Sequence, residues 1–438
     1  MTNPGANVAD ERATRRTQAI ELAGQGRLEE AGRLFDALLV EVPDDVDALN
    51  FLAIRAHAAG RPDEALEVLA RARAAHPRDA TTLVNTGVLL RERDRLDEAV
   101  ATLGDALRID PTLYVARLRL GEALQARGDS GAVAAYFGAI TIAQQRGHWL
   151  SDATTALPLR PLVKHAMRVV AGGRRVLLST LLDPLRERHG AAPLLRVEKA
   201  LAIYLQEIPP GYADPAQRPK FLYFPDLPTT RFFARELFPW YAALEAQTAV
   251  IREEMRAVLA EDSGFEPFLG HVDDHGALQD LLRGERGEPA WNAFFFHRHG
   301  VRNDANAARC PRTAAALEAA PLCRVRDHSP EVCFSVLTPG SHILPHRGVT
   351  NTRLVTHLPL VVPEGDLALQ VSGETMRWQE GRCFTFDDTF EHEAWNRSGE
   401  TRVVVLLDVW NPHLTEVERE AVTALTEGIG DFNREAGL

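Results

Sequence analysis

Residues 333–410 read CFSVLTPGSHILPHRGVTNTRLVTHLPLVVPEGDLALQVSGETMRWQEGRCFTFDDTFEHEAWNRSGETRVVVLLDVW. Short runs rich in β-branched and aromatic residues alternate with Gly, Pro and Asn, the pattern of a small antiparallel barrel or sandwich. Side chains alternate along a strand with period two. TRLVTHLPLVV therefore places Arg353, Val355 and His357 on one face. TRVVVLLDVW places Arg402, Val404, Leu406 and Asp408 on one face and Val403, Val405 and Leu407 on the other. His346, in LPHRG, follows a short strand, and His392, in FDDTFEHEAW, enters another. Two imidazoles and a guanidinium on a late strand point to a metal centre beside a carboxylate-binding post.

An arginine heading an apolar strand must keep its charge paired, because an isolated buried guanidinium is costly. A carboxylate gripped by both arms is its natural partner. A ligand carboxylate fits Arg402; an internal salt bridge to Asp387, Asp388 or Glu400 is the plainer alternative. Imidazole suits Fe, Zn, Cu and Ni, and the common non-haem iron site joins two His to one carboxylate. The carboxylate ordinarily lies two residues after the first His, where this chain has Gly348. Either this is no metal site, or it is a two-histidine site whose open positions go to cosubstrate and water. Asp387 and Asp388 fit turn-forming caps or residues that orient a metal ligand. His342 reads as loop packing. His297 and His299, in WNAFFFHRHG, alternate at metal-compatible spacing but read as a solvent-facing pair at a strand end.

The N-terminal third is periodic. Pro43, Pro77 and Pro111 are 34 residues apart, and Ala31, Ala65 and Ala99 keep the same step, as do Gly26, Gly60, Asp94 and Gly128. GRLEEAGRLFDALLVEVP, GRPDEALEVLARARAAHP and DRLDEAVATLGDALRIDP align without gaps, and a less regular fourth unit runs over 113–146. This resembles the tetratricopeptide repeat, a helix–turn–helix unit of that length. The Gly or Asp ends the first helix of each unit, the Pro closes the second, and the small residues let the helices approach. Stacked units build an α-helical solenoid with a concave face. That face suits a protein or peptide partner, or serves as a scaffold. The organisation expected is a repeat array over 14–147, a helical extension over 148–215 ending in the Pro-rich PPGYADPAQRP, and a sheet domain over 216–438.

A formal net charge of -12 argues against nucleic acid or an anionic membrane as partner. No apolar run of about 18 residues is present, so no spanning helix is expected. The N-terminus MTNPGANVADERATRR has no apolar signal core, and a cytoplasmic protein is expected. Cys310, Cys323, Cys333 and Cys383 lack zinc-knuckle spacing and read as reduced thiols, with a Cys310–Cys323 disulfide as the lesser alternative.

The run PGSHILPHRGVTNTRLVTHLPLVVP, followed by W-x-E-G-x-x-x-x-FDDTFEHEAWN and R-x-x-x-x-x-DVWNP, resembles the aspartyl/asparaginyl β-hydroxylases. The resemblance spans residues 219–415 and is densest over 335–412. It implies a double-stranded β-helix (jelly-roll, cupin-like) oxygenase that uses Fe(II), 2-oxoglutarate and O2. That family carries glycine where the third metal ligand would stand, as here at Gly348. The resemblance makes His346 and His392 the iron ligands and Arg402 the holder of the distal 2-oxoglutarate carboxylate. Ser335 would hydrogen-bond the same end, and His357 would contact the ketoacid carboxylate. Arg353 would hold the substrate's side-chain carboxylate or amide. Members that hydroxylate proteins carry a second arginine two residues on, where this chain has Val355. The implied substrate is a peptide, a protein, or an amino-acid or carboxylate metabolite. A scaffold with a degenerate sheet domain and a zinc or nickel cupin enzyme are the rival readings.

Overall fold

The computed structural model describes residues 4–261, 263–269, 281–284 and 290–438. Two compact units emerge: Met1–Arg174 together with Asp431–Leu438, and Arg175–Gly430.

The first unit is built from antiparallel helix pairs: α1 (Pro4–Gly24) with α2 (Leu28–Glu41), α3 (Val46–Ala58) with α4 (Pro62–Ala75), α5 (Ala80–Glu92) with α6 (Leu96–Ile109), and α7 (Tyr114–Arg127) with α8 (Ala132–Gln145). The 34-residue step is visible at the turns. Gly26, Gly60, Asp94 and Gly128 all have φ between +59° and +78°, the left-handed conformation that ends a helix. Ala31, Ala65 and Ala99 are wholly buried. A Cβ added to Gly87 would fall 2.5 Å from the Leu103 side chain, so that side chain of α6 packs directly on the α5 backbone there. Asp45 and Asp79 cap α3 and α5 by accepting from the Ala48 and Thr82 amides at 3.0 and 2.7 Å.

In the second unit the helices Asp183–His189 and Leu195–Tyr204 pack with Leu222, Phe224 and Leu425 in a helical core. The strands are β1 (Glu266–Pro267), β2 (Leu282–Gly284), β3 (Trp291–Arg298), β4 (Val301–Arg302), β5 (Val332–Leu337), β6 (Ser341–His346), β7 (Arg353–Val361), β8 (Leu367–Val371), β9 (Glu374–Met376), β10 (Phe384–Phe386), β11 (His392–Asn396) and β12 (Arg402–Trp410). They form two antiparallel sheets, one ordered β1-β3-β5-β12-β7-β10 with β4 beside β3, the other β2-β6-β11-β8-β9. Helical repeats are thus followed by a sheet-rich domain, as expected. The sheets stay open rather than closing into one barrel.

Alternation along β12 sorts its side chains between two cores. Val403, Val405 and Leu407 join Ile251, Met255 and Val258 of the amphipathic helix Thr248–Glu261, which covers the outer face. Val404 and Leu406 face inward and share a core with Ile343, Leu369 and Ala394 of the second sheet. Between those inner faces lies the pocket that holds the predicted polar residues. No helix among the described residues is long and apolar enough to cross a membrane.

Candidate metal and cosubstrate site

His346 ends β6 and His392 begins β11, and the antiparallel register sets them directly opposite each other. Their ring centroids are 4.1 Å apart. Each imidazole is oriented by its own strand: His346 Nδ1 is 2.9 Å from the Leu344 carbonyl, and His392 Nδ1 is 3.1 Å from the Phe390 carbonyl. A carbonyl only accepts, so Nδ1 carries the proton and Nε2 keeps its lone pair, the state a metal ligand requires. Burial lowers the His346 pKa, and burial plus the neighbouring His346 push His392 down to about 4. Both rings are therefore neutral near pH 7.

The other end of the pocket comes from β12, β5 and β7. Arg402 is 2 % exposed, and its Nη1 donates to the Ser335 carbonyl at 3.1 Å and to Ser335 Oγ at 3.3 Å. Its guanidinium lies 5.0 Å from the centroid of the Trp378 ring, and its Nε has no partner. Among the described residues no carboxylate pairs with it. Asp387 bonds to Gln217 and Thr389, and Asp388 pairs with Arg353, so the internal salt bridge allowed by the sequence does not form. Burial, opposed only weakly by the Cys333 thiol, pulls the Arg402 pKa down to about 9. This is a buried cation shaped for an anion that the chain itself does not supply. His357, beside it, accepts from Trp378 Nε1 at 3.2 Å through Nδ1. Burial, and then the neighbouring Arg402 and His392, push its pKa well below normal, so it is neutral with the proton on Nε2.

Residues 245–412 match the family model described as aspartyl/asparaginyl beta-hydroxylase, and 16–72 and 52–114 match the tetratricopeptide repeat. The Rhizobium tropici ornithine lipid ester-linked acyl 2-hydroxylase is 36% identical over 177 residues, covering 40% of this chain and 58% of that one. The human aspartate beta-hydroxylase domain-containing protein 2 is 33% identical over 209 residues, 47% of this chain and 54% of its own. Human aspartyl/asparaginyl beta-hydroxylase is 34% identical over 186 residues, 42% of this chain and 22% of its own. At most the chain spans little more than half the length of these relatives.

Within the stretch that matches the hydroxylase family model, Gly348 is explained by crowding. A Cβ built there would lie 2.1 Å from Asp388 Oδ2, and the Gly348 amide donates to the Asp388 carbonyl at 2.7 Å. The space a third ligand would need is filled by Asp388. Arg353 lines the pocket but is held by two carboxylates, Asp388 Oδ2 and Asp408 Oδ1, each at 3.0 Å. Burial works against its charge, but the two acids outweigh that and keep its pKa above the usual arginine value.

Other residues fall outside the site. Asp387 Oδ1 accepts from the Thr389 amide at 2.9 Å, the turn-forming role. His342 pairs with Glu393 at 2.7 Å. The sequence expectation for His297 and His299 needs correction, because β3 ends at Arg298 and His299 turns away with φ +49°. His297 is 3 % exposed and pairs with Glu318 at 3.2 Å, so it is no solvent-facing residue. All four cysteines are free and buried. Sequence reasoning overlooked two tryptophans: Trp378, and Trp291, whose Nε1 donates to Ser335 Oγ at 2.9 Å. The signal was available, since a buried indole N–H needs a partner.

Proposed function

We propose that the sheet domain is a hydroxylase dependent on Fe(II) and 2-oxoglutarate, converting C–H, O2 and 2-oxoglutarate to C–OH, succinate and CO2. The observation that carries this reading is one pocket holding two neutral imidazoles with free Nε2 atoms and a buried arginine without an anion. The names of the relatives share one chemical theme: the β-carbon of an aspartate and the 2-carbon of an acyl chain both adjoin a carbonyl. The substrate proposed is accordingly an Asp- or Asn-type residue or a related amino-acid or acyl compound, oxidised next to its carbonyl.

His346 and His392 would hold the iron, and Arg402 with Ser335 would hold the distal carboxylate of 2-oxoglutarate. The His357 Nε2 proton would serve the ketoacid carboxylate. Bound together, iron and 2-oxoglutarate supply the oxidising power to break the C–H bond. The protein's own part is to orient that bond and exclude water, through rigid strands and apolar pocket walls such as Phe386 and Leu406. The repeats would recruit a protein partner or present a peptide.

Succinate formation from 2-oxoglutarate with Fe(II), measured for the wild type and His346→Ala, tests the reading. Loss of turnover in the variant is expected, with a product heavier by one oxygen atom in substrate screens. Unchanged succinate formation would overturn it.

A further inference from the structure

The substrate end of the pocket does not match a carboxylate. Arg353 spends both terminal nitrogens on Asp388 and Asp408, and its side chain is only 14% exposed. Glu331 lines the same pocket; its amide donates to Asp408 Oδ2 at 2.9 Å, its Oε1 pairs with His299 at 2.8 Å, and its Oε2 has no partner. Arg353, His299 and these three acids are thus taken up with one another. To reach Arg353, an incoming carboxylate would have to break a buried ion pair, which is strongly unfavourable. Of the other cations lining the pocket, Arg402 belongs to the cosubstrate end, Arg347 is paired with Glu391 at 3.0 Å, and Lys220 is exposed to solvent rather than set in the apolar wall.

Two residues along β7 from Arg353, on the same face, stands Val355, 6 % exposed and without a hydrogen-bonding group. Phe268, Leu269, Leu281 and Val349 also line this cavity of about 290 Å³. Apolar walls of this kind bind by removing apolar surface from water and leave a buried charge unpaired.

We infer that the substrate enters as an uncharged aliphatic arm, such as an ester- or amide-linked acyl chain, with Arg353 a locked structural cation and Val355 setting the preference. This rests on the hydroxylase reading above and narrows its substrate class.

The test uses the full chain loaded with Mn(II), without O2, titrated calorimetrically with octanoyl-glycinamide and with N-acetyl-aspartate amide. The octanoyl probe is expected to bind at least tenfold more tightly. Val355→Arg should shrink that preference tenfold or more, Val355→Gln should shrink it as well, and Val355→Ile should leave it. Val355→Gln serves if the arginine variant does not fold. Equal or tighter binding of the aspartate probe, no binding of the octanoyl probe, or a preference unmoved by both polar variants overturns the inference. A parallel titration with 2-oxoglutarate separates the two failures: its failure to bind sinks the hydroxylase reading, while the two probes still rank the pocket's preference.

Discussion

Arg402 reaches across from β12 to the carbonyl of Ser335 on β5 at 3.1 Å, and that oxygen and the Ser335 hydroxyl are its only hydrogen-bond partners among the described residues. A buried cation so placed costs stability until an anion arrives. Arg402→Met should therefore leave the thermal midpoint of the ligand-free protein unchanged or raised. The same change should weaken 2-oxoglutarate binding about thirtyfold or more, the equivalent of about 2 kcal/mol for losing one partner of a buried charge pair. Melting curves and calorimetry on one variant read both signs.

Arg353 is predicted to behave in the opposite way. Removing it leaves Asp388 and Asp408 buried and unpaired, so Arg353→Ala should cost about 3–5 kcal/mol in urea unfolding. Adding Asp388→Asn and Asp408→Asn should restore much of that loss. A residue whose main task was to grip substrate would show little change in stability.

Restoring the usual third-ligand position should fail for steric reasons. With Asp388 Oδ2 2.1 Å from a Cβ at position 348, even Gly348→Ala is expected to lose about 1–3 kcal/mol through overpacking. Gly348→Asp should lose at least as much and gain no metal affinity in a Mn(II) titration.

Acid should weaken the second unit through His297. Burial is the main cause that lowers its pKa, with the nearby Glu318 opposing and Arg324 and Arg302 adding to it. A histidine with a depressed folded pKa favours the fold above the unfolded value of about 6.5, and that contribution is lost as pH falls toward the folded pKa. The thermal midpoint should drop on going from pH 7.5 to 5.5, and His297→Gln should drop less over that window.

The repeat array was legible because a 34-residue period repeats the same backbone demand, a left-handed turn residue, four times. The two faces of β12 were legible because alternation alone sorts Arg402, Val404 and Leu406 from Val403, Val405 and Leu407. The pairing of His346 with His392 was not, since it depends on the register of β6 against β11, which no local pattern fixes. Arg353 shows the same limit. Its acids, Asp388 and Asp408, come from a turn and a neighbouring strand, and only the folded chain reveals that they exhaust its guanidinium. His297 misled because a polar residue near Gly300 reads as exposed, whereas the helix Pro311–Glu318 brings Glu318 over it.

All four thiols lie between Cys310 and Cys383, inside the second unit, and burial raises the pKa of each above the normal thiol range. Only the thiolate reacts. The native chain should ignore iodoacetamide and release its cysteines to the reagent only when the sheet domain opens. Labelling kinetics thus make the protein its own clock for breathing of the sheet-rich half, silent to any fraying in the cysteine-free repeats.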